Sequence, residues 1–216
     1  MPHRTSSAAP PEAPVGRHLV VLASGNAGKL REFRALLAGL PLELQPQSAF
    51  GLQSADETGT TFEDNALLKA RHAARATGAA AIADDSGLEV DALDGAPGVW
   101  SARFAGPSAD DAANNAKLVA ALAGLPPQLR GARYRCVLVY VSSAEAPPLI
   151  TTGSWEGQIL DAPRGSGGFG YDPYFLVPAL RLTAAELTPA DKNRLSHRGI
   201  ASAALVQALQ RQLAAT

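Results

Sequence analysis

The sequence predicts an α/β fold in which a mixed β-sheet is covered by helices. In the first half of the chain, apolar runs typical of buried strands alternate with helix-like periodic segments. Later, two long strand-like segments follow one another and predict an antiparallel hairpin. Parallel and antiparallel pairing should therefore occur in the same sheet.

Composition and charge limit the domain count and the class of function. The 216 residues are 46% hydrophobic, which suffices for one domain with a sizeable core. The formal net charge of −1 gives no sign of a nucleic-acid or membrane surface. No apolar segment approaches the roughly 18 to 20 residues of a membrane-spanning helix.

Two further features concern location and boundaries. Cys136 is the only cysteine, so an internal disulfide is impossible and a reducing compartment fits; we expect the cytoplasm. Residues 1–17 are rich in Pro, Ala and Ser and lack apolar periodicity. We expect a disordered tail over residues 1–17 and one domain over residues 18–216.

The first half of the chain supplies two strands and two helices. Residues 19–23 form an apolar run and predict a strand buried on both faces. Apolar residues at three- and four-residue steps predict the next helix: Leu30, Phe33, Leu37 and Leu40. A second helix should run from an N-cap at Thr61 to Gly78, and residues 79–83 should form a buried strand that ends at Asp84.

The second half predicts a half-exposed strand, a hairpin and three helices. LEVDAL, residues 88–93, alternates apolar and polar positions, and a helix fits residues 108–123 with SADD as its capping box. Segments 132–143 and 149–160 should be adjacent long strands joined by a turn. Thr188-Pro189 indicates another helix start, and the last helix carries Ile200, Leu205, Leu209 and Leu213.

The loop after the first strand, SGNAGK, is the first candidate site. Helix N-termini attract anions, the glycines allow an anion to approach the backbone closely, and Lys29 adds a positive charge. Phosphate is therefore the expected ligand. The spacing differs from the P-loop because Leu30 stands where a hydroxyl residue is needed. A tight turn without a ligand is the alternative.

The second candidate is IADDSGLEV, where Asp84 and Asp85 are adjacent. Paired carboxylates suit a hard cation such as Mg²⁺. Since neighbouring strand residues point to opposite faces, we expect one carboxylate to face the ligand and the other to be structural. A simple Asp-Ser-Gly turn is the alternative.

Two more clusters lie near the end of the chain. Residues 164–175 combine four glycines with Phe169, Tyr171, Asp172 and Tyr174, which suits a stacked base, although a plain mobile loop has the same composition. Residues 191–199 gather Lys192, Arg194, His197 and Arg198, which could equally be a solvated basic face. Lys192 and His197 would lie about 140° apart on a continuous helix, so a break near Ser196 would be needed to bring them together.

The four clusters together contain what hydrolysis of a nucleoside phosphate requires: cationic groups for phosphate, carboxylates for a metal, and an aromatic loop. In these clusters and the segments around them, the sequence resembles the inosine/xanthosine triphosphate pyrophosphatase family. The matching stretches occur in the family's order and extend over most of residues 19–200: LASGNAGKLREF, DETGTTFEDNALLKARHAA, AIADDSGLEVDALDGAPGVWSARFAG, GSGGFGYDPYF and AAELTPADKNRLSHRG.

The resemblance implies a role for each matching residue. Asp85 would be the catalytic carboxylate and a Mg²⁺ ligand, Glu57 would also approach the metal, and Ser86 would touch the substrate. The triphosphate segment would be Ser24, Gly25, Asn26, Ala27, Gly28 and Lys29, with Ser24 where many members have Thr. The nucleoside would meet Phe169, Gly170, Tyr171 and Asp172, and the remaining substrate contacts would be Lys192, His197 and Arg198.

The resemblance also implies an elongated mixed sheet in two lobes with a central substrate cleft, a homodimer, and a nucleoside triphosphate as substrate. The expected reaction converts deaminated purine nucleoside triphosphates (ITP, dITP, XTP) to the monophosphate and pyrophosphate. Two alternatives stay open: a related pyrophosphatase for other modified nucleotides, and a non-catalytic nucleotide-binding regulator.

Overall fold

A computed structural model describes residues 16–214 and contains one seven-stranded sheet in the order β2-β1-β3-β4-β5-β6-β7. The strands are β1 (His18–Leu22), β2 (Leu42–Pro46), β3 (Ala80–Val90), β4 (Gly131–Val141), β5 (Leu149–Ile159), β6 (Phe175–Val177) and β7 (Leu182–Thr183). The α-helices are α1 (Ala27–Leu36), α2 (Phe62–Thr77), α3 (Asp111–Ala121), α4 (Pro189–Leu195) and α5 (His197–Ala214). Short 3-10 helices cover Gln47–Phe50, Asp91–Leu93, Gly98–Arg103 and Pro127–Leu129.

The sheet is mixed, as the sequence predicts. β1 pairs in parallel with β2 and β3, and every later pair is antiparallel. The β4–β5 hairpin agrees with the predicted pair of long strands. The short strands β2, β6 and β7 were not predicted.

Three apolar clusters cover the sheet. One packs α1 and α5 on one face and includes Val20, Leu22, Phe33, Ile82 and Leu205. Another packs the alanine-rich side of α2 on the opposite face and includes Val21, Ala66, Ala70, Ala81 and Ala83. The third lies toward the other end of β3 and β4 and includes Leu88, Leu118, Tyr134, Trp155 and Phe175.

Three predicted boundaries are wrong. α1 ends at Leu36, so Leu37 and Leu40 lie beyond the helix, although both are buried in the first apolar cluster. β3 does not end at Asp84 but runs unbroken through Asp84–Gly87 to Val90, because each of these residues pairs with β4. The segment 88–93 is therefore the end of this strand followed by a 3-10 turn. The third helix begins at Asp111 rather than near Ser108, since Asp110 is the N-cap and accepts a hydrogen bond from the Ala113 N–H.

Several helix ends agree with the sequence. Thr61 caps α2 by accepting from the Asp64 N–H, and Gly78 ends that helix with a φ of +70°. The predicted break near Ser196 is present, since Ser196 separates α4 from α5. No helix in the described range 16–214 is both long and apolar enough to span a membrane. Most of the predicted tail, residues 1–15, lies outside the described residues.

Candidate active site

A cavity of about 240 Å³ opens on the α1/α5 face of the sheet, between the first and third apolar clusters. Nine of the predicted substrate residues line it: Asn26, Lys29, Ser86, Phe169, Gly170, Tyr171, Asp172, His197 and Arg198. They come from four separate segments of the chain, so the fold brings all four predicted clusters to one place.

The opening loop is held by its own side chains. Ser24 Oγ accepts from the Asn26 N–H at 3.2 Å. Asn26 is the N-cap of α1, and its Oδ1 accepts from the N–H groups of Gly28 at 2.8 Å and Lys29 at 3.1 Å. These amides are therefore already satisfied, and the Lys29 ammonium is the loop's main group for an anion.

Asp84 organises the cations on this face. Its Oδ2 lies 2.8 Å from Lys29 Nζ and 3.7 Å from Arg198 Nε, and it accepts a hydrogen bond from Ser86 Oγ at 2.9 Å. Burial alone would raise the pKa of Asp84, but the charges of Lys29 and Arg198 outweigh burial and hold this pKa well below its usual range. Arg198 also donates to Ser86 Oγ and to the Glu32 carboxylate of α1.

A second ion pair holds the aromatic loop against α4. Lys192 Nζ donates to Asp172 Oδ2 at 2.6 Å, and Oδ2 also accepts from the Phe169 N–H at 2.9 Å. Lys192 lies 4.6 Å from the centroid of the Phe169 ring, within cation–π range. The loop of residues 164–175 is thus fixed at its aromatic end, which argues against the mobile-loop alternative.

His197 is the first residue of α5 and is buried against Tyr134. The two rings stack with centroids 4.7 Å apart, and the Tyr134 hydroxyl donates to Asp172 Oδ1 at 3.2 Å. Burial lowers the pKa of His197 well below 6.5, and the Arg198 and Lys192 charges lower it further. The imidazole is therefore neutral at pH 7 and can offer one N–H to a ligand.

Gly153 of β5 permits this position of α5. A Cβ at residue 153 would lie 2.0 Å from the His197 carbonyl oxygen and 2.9 Å from the Ala201 nitrogen. Only a glycine allows the strand and the helix start to approach so closely.

Asp85 points to the opposite face of the sheet from Asp84. Its Oδ1 lies 2.7 Å from Lys69 Nζ of α2, which also contacts Glu57 Oε1 at 3.0 Å. Asn65 donates to Asp85 Oδ2 at 3.3 Å, and Arg103 donates to Glu57 Oε2 at 3.0 Å. Two carboxylates thus converge on one cationic position.

The two carboxyl groups differ in pKa. Burial raises the pKa of Asp85, although Lys69 opposes this effect. Burial would also raise the pKa of Glu57, but Lys69 and Arg103 reverse the direction and lower it. A carboxylate with a raised pKa is the better proton acceptor of the pair.

Six predicted residues do not line the cavity: Ser24, Gly25, Gly28, Glu57, Asp85 and Lys192. Ser24, Gly28 and Lys192 contact residues that do. Asp85 lies on the other face of the sheet, as the alternation of strand side chains requires, and Glu57 contacts Lys69 on that same face. The side chain of Ala27 lies outside the described part of the chain.

Sequence reasoning missed several residues of the site, chiefly Glu32, Lys69, Asn114 and Tyr134. A signal for Lys69 was available. Asn65 and Lys69 fall on the same buried stripe of α2 as Ala66, Ala70 and Ala73. Polar residues on an otherwise alanine-lined buried stripe indicate a polar partner across the interface, here Asp85.

Comparison with known proteins identifies the family of this chain. The model of the Ham1 family matches residues 20–208. A protein of Methylococcus capsulatus named dITP/XTP pyrophosphatase is 59% identical over 195 residues, covering 90% of this chain and 97% of the relative. The predicted family resemblance is confirmed.

Solved structures of similar proteins confirm the predicted fold class. A HAM1 protein from Coxiella burnetii is 47% identical with a TM-score of 0.84, covering 90% of this chain and 99% of that one. A Mycobacterium abscessus structure described as a nucleoside-triphosphatase / dITP/XTP pyrophosphatase is 44% identical with a TM-score of 0.70, covering 87% of this chain and 97% of that one. The chain belongs to the Ham1 family.

Proposed function

We propose that this protein hydrolyses deaminated purine nucleoside triphosphates (ITP, dITP and XTP) to the monophosphate and pyrophosphate. The observation that carries the proposal is that four residues line the same cavity: the cations Lys29 and Arg198, the aromatic Phe169 and the neutral His197. Phosphate and base could therefore be bound at the same time. The relatives named dITP/XTP pyrophosphatase support the same substrate class.

Asp85 is the proposed general base. It would accept a proton from the water that attacks the α-phosphorus, and its raised pKa suits this role. Lys69, 2.7 Å away, would hold the carboxylate in place and offset negative charge. Lys29, Lys192 and Arg198 would stabilise charge on the phosphates and on the departing pyrophosphate.

The carboxylates of Glu57 and Asp85 fit a magnesium ion. Both lie within 3.0 Å of the Lys69 ammonium, so their oxygens converge, and oxygen ligands are those that Mg²⁺ prefers. The residues described hold no cluster of three or more His, Cys, Asp or Glu suited to a metal, so the substrate phosphates and water would complete the coordination. When bound, Mg²⁺ would supply positive charge beside the phosphates and make a water easier to deprotonate.

Base selection would depend on the keto group at purine position six, which ATP lacks, and on exclusion of the two-amino group, which GTP carries in addition to the keto group. The neutral His197 lines the cavity and presents an N–H donor, which a keto oxygen accepts and the amino group of adenine does not. A site built of donors rejects a base that leaves them unpaired.

Product analysis tests the proposal. The purified protein is incubated with Mg²⁺ and, separately, ITP, XTP, GTP and ATP, and the products are identified by ³¹P NMR. Pyrophosphate from ITP and XTP, with little from GTP or ATP, is expected. Orthophosphate would contradict attack at the α-phosphorus, and comparable turnover of GTP would favour a wider nucleotide range. Binding without turnover would favour a regulator.

We also propose a homodimer that acts in the cytoplasm. The family resemblance supports the dimer, and the single, fully buried thiol of Cys136 is compatible with a reducing compartment. Sedimentation equilibrium at micromolar concentration should give twice the mass of the 22.3 kDa chain, and a monomer mass would overturn the proposal.

A further inference from the structure

The first two turns of α3 hold one residue of the aromatic loop at both of its backbone polar groups. Asp111 Oδ2 accepts from the Gly170 N–H at 2.7 Å, and Asn115 Nδ2 donates to the Gly170 carbonyl at 2.9 Å. Asp111 and Asn115 are four residues apart and lie on the same side of the helix. We call these two side chains and Gly170 the α3 latch.

Gly170, the loop residue of the α3 latch, lies between two aromatic residues that line the cavity. Gly170 has a φ of +62°, a conformation that favours glycine, and it joins Phe169 to Tyr171. The Tyr171 hydroxyl donates to the Ser101 carbonyl at 2.8 Å. Phe169 is 38% exposed, and Asp172 Oδ2 accepts a hydrogen bond from its backbone N–H. Asp111 and Asn115 hold the backbone of the next residue, so the main chain that carries the Phe169 ring is held on both sides.

The Asn115 side chain has a hydrogen-bond partner in the loop, but its own carbonyl oxygen has none among the described residues. Its amide nitrogen also donates to the Asp111 carbonyl at 2.8 Å, yet its buried Oδ1 accepts no hydrogen bond from any residue of the described chain. A buried acceptor without a donor is destabilising, so an apolar residue would suit this interior helix position better. The contact with Gly170 gives a reason for an asparagine here.

We propose that Asp111 and Asn115 are positioning residues that orient the Phe169 ring for stacking on the purine base. This inference rests on the proposed function, since it assigns the ring to the base. It predicts that the α3 latch affects binding of the nucleoside part of the substrate and leaves binding of the triphosphate part unchanged.

Steady-state kinetics tests this separation. In Asp111→Ala the KM for ITP should rise about tenfold, the effect typical of losing a hydrogen bond to a charged group, while kcat changes less than about threefold. The inhibition constant of inorganic tripolyphosphate, a probe without a base, should stay at the wild-type value. Asp111→Asn keeps an oxygen acceptor for the Gly170 N–H, so its KM for ITP should be close to the wild-type value.

Asp110→Ala is the matched control. It removes the neighbouring carboxylate, which caps α3 through the Ala113 N–H at 2.8 Å and makes no described contact with Gly170. This variant should lose thermal stability with an unchanged KM. Equal increases in the ITP and tripolyphosphate constants for Asp111→Ala, or the same KM change in Asp110→Ala, would overturn the proposal.

Hydrogen–deuterium exchange gives a readout that does not need activity. Peptides covering residues 168–172 should exchange faster in Asp111→Ala and Asn115→Ala than in the wild type, and at the wild-type rate in Asp110→Ala. Unchanged exchange in both latch variants would contradict the latch itself. Failure of the wild type to release pyrophosphate from ITP would instead contradict the proposed function.

Discussion

Asp84 and Asp85 are adjacent and chemically identical, and their surroundings give them opposite properties. Lys29 and Arg198 hold the pKa of Asp84 low despite its burial, so this residue is a fixed negative charge that arranges cations. Burial raises the pKa of Asp85 although the charges of Lys69 and Lys29 oppose this effect, and a raised pKa suits a proton acceptor. The sequence indicated that the two would face apart, but not which partners each would meet.

Asp85→Asn tests the assignment of the general base. The amide has nearly the same shape but cannot accept the proton, so kcat for pyrophosphate release from ITP should fall by roughly 10²- to 10⁴-fold. Asp91→Asn is the control, because Asp91 is exposed and pairs with Arg133 outside the cavity. Activity within about tenfold of wild type in Asp85→Asn would assign the proton transfer to another group.

Among the elements, the ends of α2 could be predicted from their capping signals, whereas the continuity of β3 through Asp84–Gly87 could not. Thr61 and Gly78 mark the ends of α2 in the sequence, and the structure agrees. The Asp-Asp-Ser-Gly segment carries a local turn signal, yet it is strand because ten consecutive residues of β3 pair with β4. Non-local pairing overrides local preference in such cases. β6 and β7 are three and two residues long, too short to show a period.

Gly153→Ala tests how β5 positions the start of α5. The added methyl would lie 2.0 Å from the His197 carbonyl oxygen, so the helix must move and carry His197 and Arg198 with it. Overpacking of this kind costs about 1–3 kcal/mol in the free energy of unfolding, and activity on ITP should fall as well. Chemical denaturation and ITP kinetics measure the two effects.

Gly39→Ala provides the control for this substitution. A Cβ at residue 39 meets nothing within 4 Å, so stability should be unchanged or slightly increased. Equal stability of the two variants would mean that β5 and α5 can separate without cost.

For the whole molecule, the buried neutral His197 predicts that stability falls in weak acid. Burial keeps the folded-state pKa well below 6.5, so below pH 6.5 the unfolded chain binds a proton that the folded chain does not. Stability should therefore decrease as the pH falls, by at most about 1.4 kcal/mol per pH unit from this group. The low pKa of Asp84 acts in the same direction in stronger acid, below its ordinary value of 3.8.

Urea unfolding at pH 7.0 and 5.5 measures this dependence. His197→Gln should lose less stability between the two pH values than the wild type, whatever its stability at pH 7.0. His72→Gln changes an exposed histidine and should keep the wild-type slope. If the wild type and His197→Gln lost the same free energy of unfolding between the two pH values, His197 would not be the source of the pH dependence.

The placement of Asp84 and Asp85 on opposite faces of β3 also bears on how such a protein can diverge. Phe169, His197 and Arg198 lie on one face of the sheet, and Asp85, Glu57 and Lys69 lie on the other. Substitutions around the base could then alter the accepted nucleotides while the reaction centre keeps its neighbours. β1 pairs with β3 only as far as Ile82, so the edge of β3 at Asp84–Gly87 has no paired strand on that side among the described residues. A triphosphate at this open edge would reach both groups, while the residues around the base stay separate from those around Asp85.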